Sequence, residues 1–137
     1  MEDVQKRGLR LVYNDKLSSY DELLLKANKN TLFIERLKRI ALFVYKCTES
    51  IGPTVVHDLF DSKNIPYNLR DDNKTVQPKV DTATFGLNSL KYSGSLLWNR
   101  LPPDLKSSIT LSSFKTLLKS WEGPTCKCGV CLLCKSL

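Results

Sequence analysis

Four cysteines fall within nine residues near the end of the 137-residue chain, in the run CKCGVCLLC. Their type and spacing favour a metal site, because thiolates bind soft or borderline metals and a tetrahedral zinc ion takes four of them. Three of the cysteines are separated by two residues each, a chelating spacing, and the neighbouring lysines favour the ionised thiolates. The predicted zinc ligands are Cys126, Cys128, Cys131 and Cys134.

Alternatives to a zinc site stay open for this tail. Typical zinc sites join two C-x-x-C turns through a longer loop, which the tail lacks. An iron–sulfur site shares the C-x-x-C-x-x-C run, but the fourth cysteine and the proline of that pattern are missing. The main alternative is a reduced tail that binds no metal. The fifth cysteine, Cys47, lies on the apolar face of a predicted helix, where a small buried hydrophobe is expected.

The remaining reactive residues do not form a catalytic set. His57 is the single histidine, and it has no obvious acid–base partner except Asp58. Asp71 and Asp72 resemble a two-metal carboxylate pair, but no strand pattern flanks them, so a solvated loop is predicted. The chain contains no phosphate-binding glycine loop, no G-x-S-x-G elbow and no H-E-x-x-H. We therefore expect no enzymatic activity and no small-molecule substrate.

The charge balance favours a polyanionic partner. Lys and Arg number 21 against 14 Asp and Glu, a net charge of +7, which favours RNA or DNA. Basic side chains that converge on one side of the fold would hold phosphates without reading bases. Tyr13, Tyr20 and Trp121 are candidates for stacking on unpaired bases, although a core position is favoured for Trp121 and Trp98. The predicted nucleic-acid contacts are Lys6, Arg7, Arg10, Lys38, Arg39, Lys115, Lys119 and Lys127.

The sequence gives no sign of a targeting or membrane segment. Met1 is followed by two acids rather than an apolar stretch, and the longest apolar run, IALFVY, is too short to span a bilayer. An odd number of cysteines fits poorly with a disulfide framework. We expect an intracellular protein, nuclear or cytoplasmic, with no membrane partner.

The pattern of apolar residues predicts a mainly α, small helical domain with a short β-hairpin and a C-terminal cysteine-rich tail. Helices are expected over 2–14, after a capping box at Ser19 and Glu22, after Thr31, near Pro53, and after a cap at Ser112. The alternation of Val80, Thr82 and Thr84 favours a strand, followed by a turn at FGLNS and a second strand at LKYS. The predicted organisation is a helical segment 1–122 with loop 61–79 and hairpin 80–92, then the tail 123–137.

Two stretches and the tail together resemble the C-terminal region of a non-LTR (LINE-type, jockey-like) retrotransposon reverse transcriptase. They are RLVYNDKLSSYDELLLKAN and KYSGSLLWNRLPPDLKSSITLSSFKTLLKSW, in this order before the cysteine cluster. The resemblance covers nearly the whole chain. It implies a mostly helical segment that would follow the palm and thumb of an RNA-directed DNA polymerase, with a terminal cysteine motif that helps hold nucleic acid.

The resemblance also implies what this chain lacks. The polymerase core of the family lies upstream, and Asp71–Asp72 do not match its aspartate pair. We expect a truncated fragment that is non-catalytic alone, binds the RNA or DNA backbone without sequence preference and, in the parent protein, contacts the polymerase domain. Many members of the family use a cysteine–histidine motif, whereas this tail has no histidine. The alternatives are a helical protein-interaction module or a decayed, non-functional reading frame.

Overall fold

The computed structural model describes residues 2–61, 74–82 and 84–124, and in these ranges the chain is mainly α-helical. The elements are α1 (Glu2–Tyr13), α2 (Tyr20–Ala27), α3 (Leu32–Thr48), a 3₁₀ helix (Thr54–Leu59), α4 (Leu90–Arg100), α5 (Pro103–Lys106) and α6 (Leu111–Ser120). No helix in these ranges is long and apolar enough to cross a membrane. The chain divides into two compact units, Met1–Leu37 and Lys38–Leu137.

In the first unit, α2 begins at the capping box that the sequence predicts. The Ser19 hydroxyl accepts the Glu22 amide at 3.3 Å, and the Glu22 carboxylate accepts the Ser19 amide at 2.9 Å. The helix ends where Asn28 takes a left-handed conformation with φ of 50°. Leu23 and Leu24 of α2 are buried, and α2 packs against α1. Local hydrogen bonding therefore fixes both ends of this short helix.

Glu2 joins the start of α1 to the start of α3. Its carboxylate accepts the amides of Phe33 at 2.9 Å and Leu32 at 3.3 Å, and it also accepts the Tyr20 hydroxyl. Partial burial opposes ionisation of Glu2, but these hydrogen bonds outweigh it, so its pKa is lowered. Burial and the Glu2 charge raise the pKa of Tyr20. The predicted cap Thr31 contributes as well, since its hydroxyl accepts the Ile34 amide at 3.3 Å.

In the second unit, aromatic side chains form the centre of the core. Tyr45 of α3 stacks on Phe114 of α6 with ring centroids 4.2 Å apart, and Trp98 of α4 lies 6.2 Å from Phe114. The Tyr45 hydroxyl donates to the Ser108 carbonyl at 3.0 Å, which satisfies its polar end. The other buried apolar residues of this unit are Ala41, Val44, Cys47, Phe60, Leu97, Leu101, Leu105, Leu118 and Trp121. The core positions predicted for Trp98, Trp121 and Cys47 are confirmed.

The hairpin predicted over 80–92 is wrong for the described residues in that range. The expected second strand, LKYS, instead begins α4 at Leu90, because the Ser89 hydroxyl caps the helix by accepting the Tyr92 amide at 3.3 Å. Residues 84–88 form a turn, in agreement with the turn predicted at FGLNS. The helix start at Leu90 thus replaces the second strand, and the β-branched residues over 80–84 lose the strand with which they were expected to pair.

Helix α6 begins two residues earlier than its predicted cap at Ser112 requires. Thr110 is the cap, and its hydroxyl accepts the Ser113 amide at 3.2 Å. Both residues are good caps, so the sequence alone favours neither strongly. The spacing i, i+3, i+4 predicts one apolar face with Phe114, Leu117 and Leu118. Phe114 and Leu118 are buried, whereas Leu117 is 40% exposed.

Candidate nucleic-acid interface

Helix α6 presents a polar face that contains hydroxyls and ammonium groups without a carboxylate. Ser112, Lys115, Thr116 and Lys119 follow the helical spacing i, i+3, i+4 and i+7, and all four are exposed. The opposite face packs into the core through Phe114 and Leu118. The sequence of α6, LSSFKTLLKS, contains no Asp or Glu. We call this set of four residues the α6 polar face.

The chemistry of the α6 polar face suits phosphate oxygens. Lysine ammonium groups and Ser or Thr hydroxyls are common donors to phosphates in nucleic-acid complexes, and such contacts carry no sequence information. Lys115 and Lys119 are one helical turn apart, so both extend from the same side of α6. The Thr116 hydroxyl already donates its one proton to the Ser112 carbonyl at 3.1 Å, so it must give up this bond before it can donate to a phosphate.

Lys38 was predicted as a nucleic-acid contact, but the structure directs it into the protein. Its side chain is buried, and its ammonium donates to the Lys119 carbonyl at 2.9 Å, at the C-terminal end of α6. A cation at this end of a helix is favourable because the last carbonyls lack partners within the helix. Lys38 therefore stabilises the C-terminal end of α6, and we do not include it in the interface. Arg39, the next residue of α3, is exposed.

The predicted contacts of α1 belong to the other compact unit. Arg7 is exposed, whereas Lys6 and Arg10 are half-buried. The Arg10 guanidinium donates to the Ser18 carbonyl at 3.4 Å, within its own unit. Lys6, Arg7 and Arg10 thus belong to the first unit, whereas Arg39 and the α6 polar face belong to the second.

The positive charge is concentrated in the segment that contains α6. Residues 1–37 carry seven Lys and Arg against six Asp and Glu, a net charge of +1, whereas residues 38–137 carry fourteen against eight, a net charge of +6. Since counterion release depends on the charges that meet the phosphates, the second unit is the better candidate for a polyanion contact.

The aromatic residues predicted to stack on bases are mostly engaged elsewhere. Trp121 is buried, and the Tyr20 hydroxyl is bonded to Glu2 and to Gln5. Tyr13 is 42% exposed, and its hydroxyl donates to the Lys26 carbonyl at 3.4 Å. Phe85 is not among the predicted stacking residues, but it is 83% exposed and is the most exposed aromatic side chain among the described residues. Its position in a predicted turn, next to a glycine, is the one feature of the sequence that indicates an exposed ring.

Several predicted site residues lie outside the described ranges. They are the zinc ligands Cys126, Cys128, Cys131 and Cys134, the phosphate contact Lys127, and the carboxylates Asp71 and Asp72. Within residues 2–61, 74–82 and 84–124, no cluster of three His, Cys, Asp or Glu side chains could hold a metal ion. His57 lies in the 3₁₀ helix with its Nε2 3.0 Å from the Gly52 carbonyl oxygen, which is a local structural contact.

No protein-family model, curated protein or solved structure matches this chain. The functional proposal therefore depends on the residues of the chain and on their arrangement.

Proposed function

We propose that this chain binds the phosphate backbone of RNA or DNA without sequence preference and is not catalytic by itself. The α6 polar face carries the proposal, because it combines two exposed lysines with two hydroxyls on an acid-free helix surface. The net charge of +6 over residues 38–137 supports it. Arg39 is a further exposed cation of the same unit.

Salt dependence tests the proposal directly. Binding of a fluorescent 20-nucleotide single strand is measured by anisotropy at 50 and 200 mM salt. Two phosphate contacts release counterions with a combined slope of about −1.4 in log K against log salt, so affinity should fall at least about sevenfold. An absence of binding at 50 mM salt would refute the proposal.

The resemblance to the C-terminal region of a non-LTR retrotransposon reverse transcriptase supplies the proposed origin. A mainly helical fold agrees with the architecture that the resemblance implies. On this proposal the natural partner of the fragment, besides nucleic acid, is the polymerase domain of the parent protein. Primer extension by the isolated chain should not exceed a control without protein, and extension above that control contradicts the non-catalytic assignment.

Zinc binding by the cysteine tail is a separate part of the proposal. Four thiolates, from Cys126, Cys128, Cys131 and Cys134, match the donor set of a tetrahedral zinc site. Metal analysis of protein prepared with zinc should give about one equivalent per chain. Replacing Cys128 and Cys131 by serine should remove that equivalent, and an unchanged metal content rules out this ligand set.

A helical protein-interaction module is the second candidate, and one observation favours it. Helix α1 exposes apolar side chains along its length, with Val4 72%, Leu11 83% and Val12 76% exposed. Exposed apolar clusters often mark protein contacts. Sedimentation at low salt distinguishes the two functions: concentration-dependent self-association without any binding of oligonucleotide favours the interaction module.

A further inference from the structure

Phe85 is presented to solvent by a turn whose hydrogen-bonding groups are occupied locally. The Gly86 amide donates to the Thr82 hydroxyl at 2.9 Å and to its carbonyl at 3.1 Å, and the Leu87 amide donates to the same carbonyl at 3.2 Å. The Ser89 hydroxyl donates to the Gly86 carbonyl at 2.7 Å. These bonds hold the backbone on both sides of an aromatic ring that is 83% exposed.

The close packing around Gly86 explains why this position of the turn is a glycine. A Cβ at this position would lie 2.6 Å from the Thr82 carbonyl oxygen and 2.8 Å from the Val80 Cβ, so only glycine allows the close approach. Ser89, at the end of the turn, caps α4, so the turn is attached to an ordered helix. The exposed ring of Phe85 is thus displayed on a hydrogen-bonded support and not on a free chain end.

From this arrangement we infer that Phe85 is a stacking platform for an unpaired base, which makes single strands the preferred nucleic-acid class. The inference rests on the proposed function, because Phe85 lies in the unit of net charge +6 that carries the α6 polar face. Aromatic faces stack on any base, so such a contact adds affinity without sequence preference. Bases inside a duplex already stack on each other and do not offer a free face. Asp81 is an exposed acid close by in sequence, so the ring and not charge provides the attraction here.

The experiment compares four forms of the full chain on three ligands at 50 mM salt. The proteins are the wild type, Phe85→Ala, Phe85→Leu and the control Ile109→Ala, which removes an equally apolar side chain that is 92% exposed in the same unit. The ligands are a single strand, the same strand with abasic sites, and a duplex. Loss of one stacked base should weaken single-strand binding by between about fivefold and a hundredfold.

The inference predicts that Phe85→Ala and Phe85→Leu lose affinity for the single strand equally, because neither offers an aromatic face. Both should bind the abasic strand and the duplex like the wild type, and Ile109→Ala should match the wild type throughout. If the wild type binds the single strand and Phe85→Ala binds it equally well, or Phe85→Leu retains wild-type affinity, the inference is overturned while the proposed function stands. If the wild type binds no ligand, the proposed function and this inference both fail.

Discussion

The ammonium of Lys38 lies at the C-terminal end of α6, where it donates to the Lys119 carbonyl at 2.9 Å. In the sequence, Lys38 and Arg39 form a basic pair on the polar side of a helix, and nothing local separates their roles. The structure separates them, because Lys38 is buried and Arg39 is exposed. A long side chain can follow either direction, so only the tertiary contact with α6 decides which of the two side chains meets solvent.

Replacing Lys38 by methionine tests this assignment. Lys38→Met keeps an unbranched apolar stem and removes an ammonium that does not reach solvent, so the slope of log K against log salt for a single strand should not change. The matched variant Lys115→Met, at an exposed position of α6, should make the slope less steep by about 0.7. Equal slope changes in the two variants contradict the buried, supporting role of Lys38.

Glu2 makes the first unit sensitive to acid. Hydrogen bonds from Tyr20, Phe33 and Leu32 outweigh its partial burial and lower its pKa from 4.5, so folding favours the ionised carboxylate. The stabilisation is therefore fully present above pH 4.5 and is lost as the pH falls through the lowered folded-state pKa. Asp15 acts in the same direction, because its hydrogen bonds with Lys26 and Ser18 hold its pKa well below the usual range.

Amide hydrogen exchange at Leu32 and Phe33 measures this effect, since both amides donate to Glu2. Protection at these two amides, corrected for intrinsic exchange, should fall in the wild type as the pH drops below 4.5 and should depend much less on pH in Glu2→Gln. Asp3→Asn is the control with the same change in charge, and it should retain the wild-type dependence. Identical pH profiles in wild type and Glu2→Gln contradict the role of the carboxylate.

At the scale of elements, the sequence predicts helices where the determining contacts are local. The capping box at Ser19 and Glu22 lies within four residues, and α2 begins where that pattern predicts. The segment 80–92 contains two competing local patterns, β-branched alternation and the serine cap of α4. Long-range packing favours the helix over the predicted second strand, because Gly94 of α4 fits against Phe60, far away in sequence. The sequence predicts only part of the α6 polar face. Lys115 and Lys119 share a predicted face, but no sequence pattern marks the hydroxyls beside them.

Gly94 and Gly8 both lie in helices, but Gly94 is closely packed whereas Gly8 has open space beside it. Replacing them by alanine should therefore change the stability of the protein in opposite directions. A Cβ on Gly94 would lie 2.8 Å from two ring carbons of Phe60 and 3.1 Å from the Val44 Cγ2. Phe60 is buried and in edge contact with Phe43, so Gly94→Ala should lower the free energy of unfolding by about 1–3 kcal/mol. A Cβ on Gly8 of α1 meets nothing within 4 Å, so Gly8→Ala should raise it by up to about 1 kcal/mol.

Denaturant unfolding followed by circular dichroism gives both free energies. By helical spacing Phe43 lies on the basic side of α3, so the sequence alone does not indicate what it packs against. In the structure Phe43 packs edge-on against Phe60 of the same chain. A Gly94→Ala protein as stable as the wild type would show that Phe60 can move aside and that the core around α4 is loosely packed.

At the scale of the whole molecule, the distribution of charge distinguishes the two compact units. The first unit is nearly neutral and contains the ion pair of Asp15 and Lys26 at 2.5 Å, whereas the second carries most of the net charge of +7. Net charge and its division between units follow from counting residues once the units are known. Their boundary at Leu37 and Lys38 falls inside the continuous helix α3, where no turn residue or composition change marks it.

The most direct test of the account compares two double variants with equal charge change in a salt titration on a single strand. Lys115→Gln with Lys119→Gln removes both lysines of the α6 polar face, and Lys16→Gln with Lys29→Gln removes two exposed lysines of the first unit. The account predicts that the α6 variant makes the slope of log K against log salt less steep by about 1.4, while the first-unit variant leaves it unchanged. Equal slope changes in both variants would mean that overall charge, and not the α6 polar face, holds the nucleic acid.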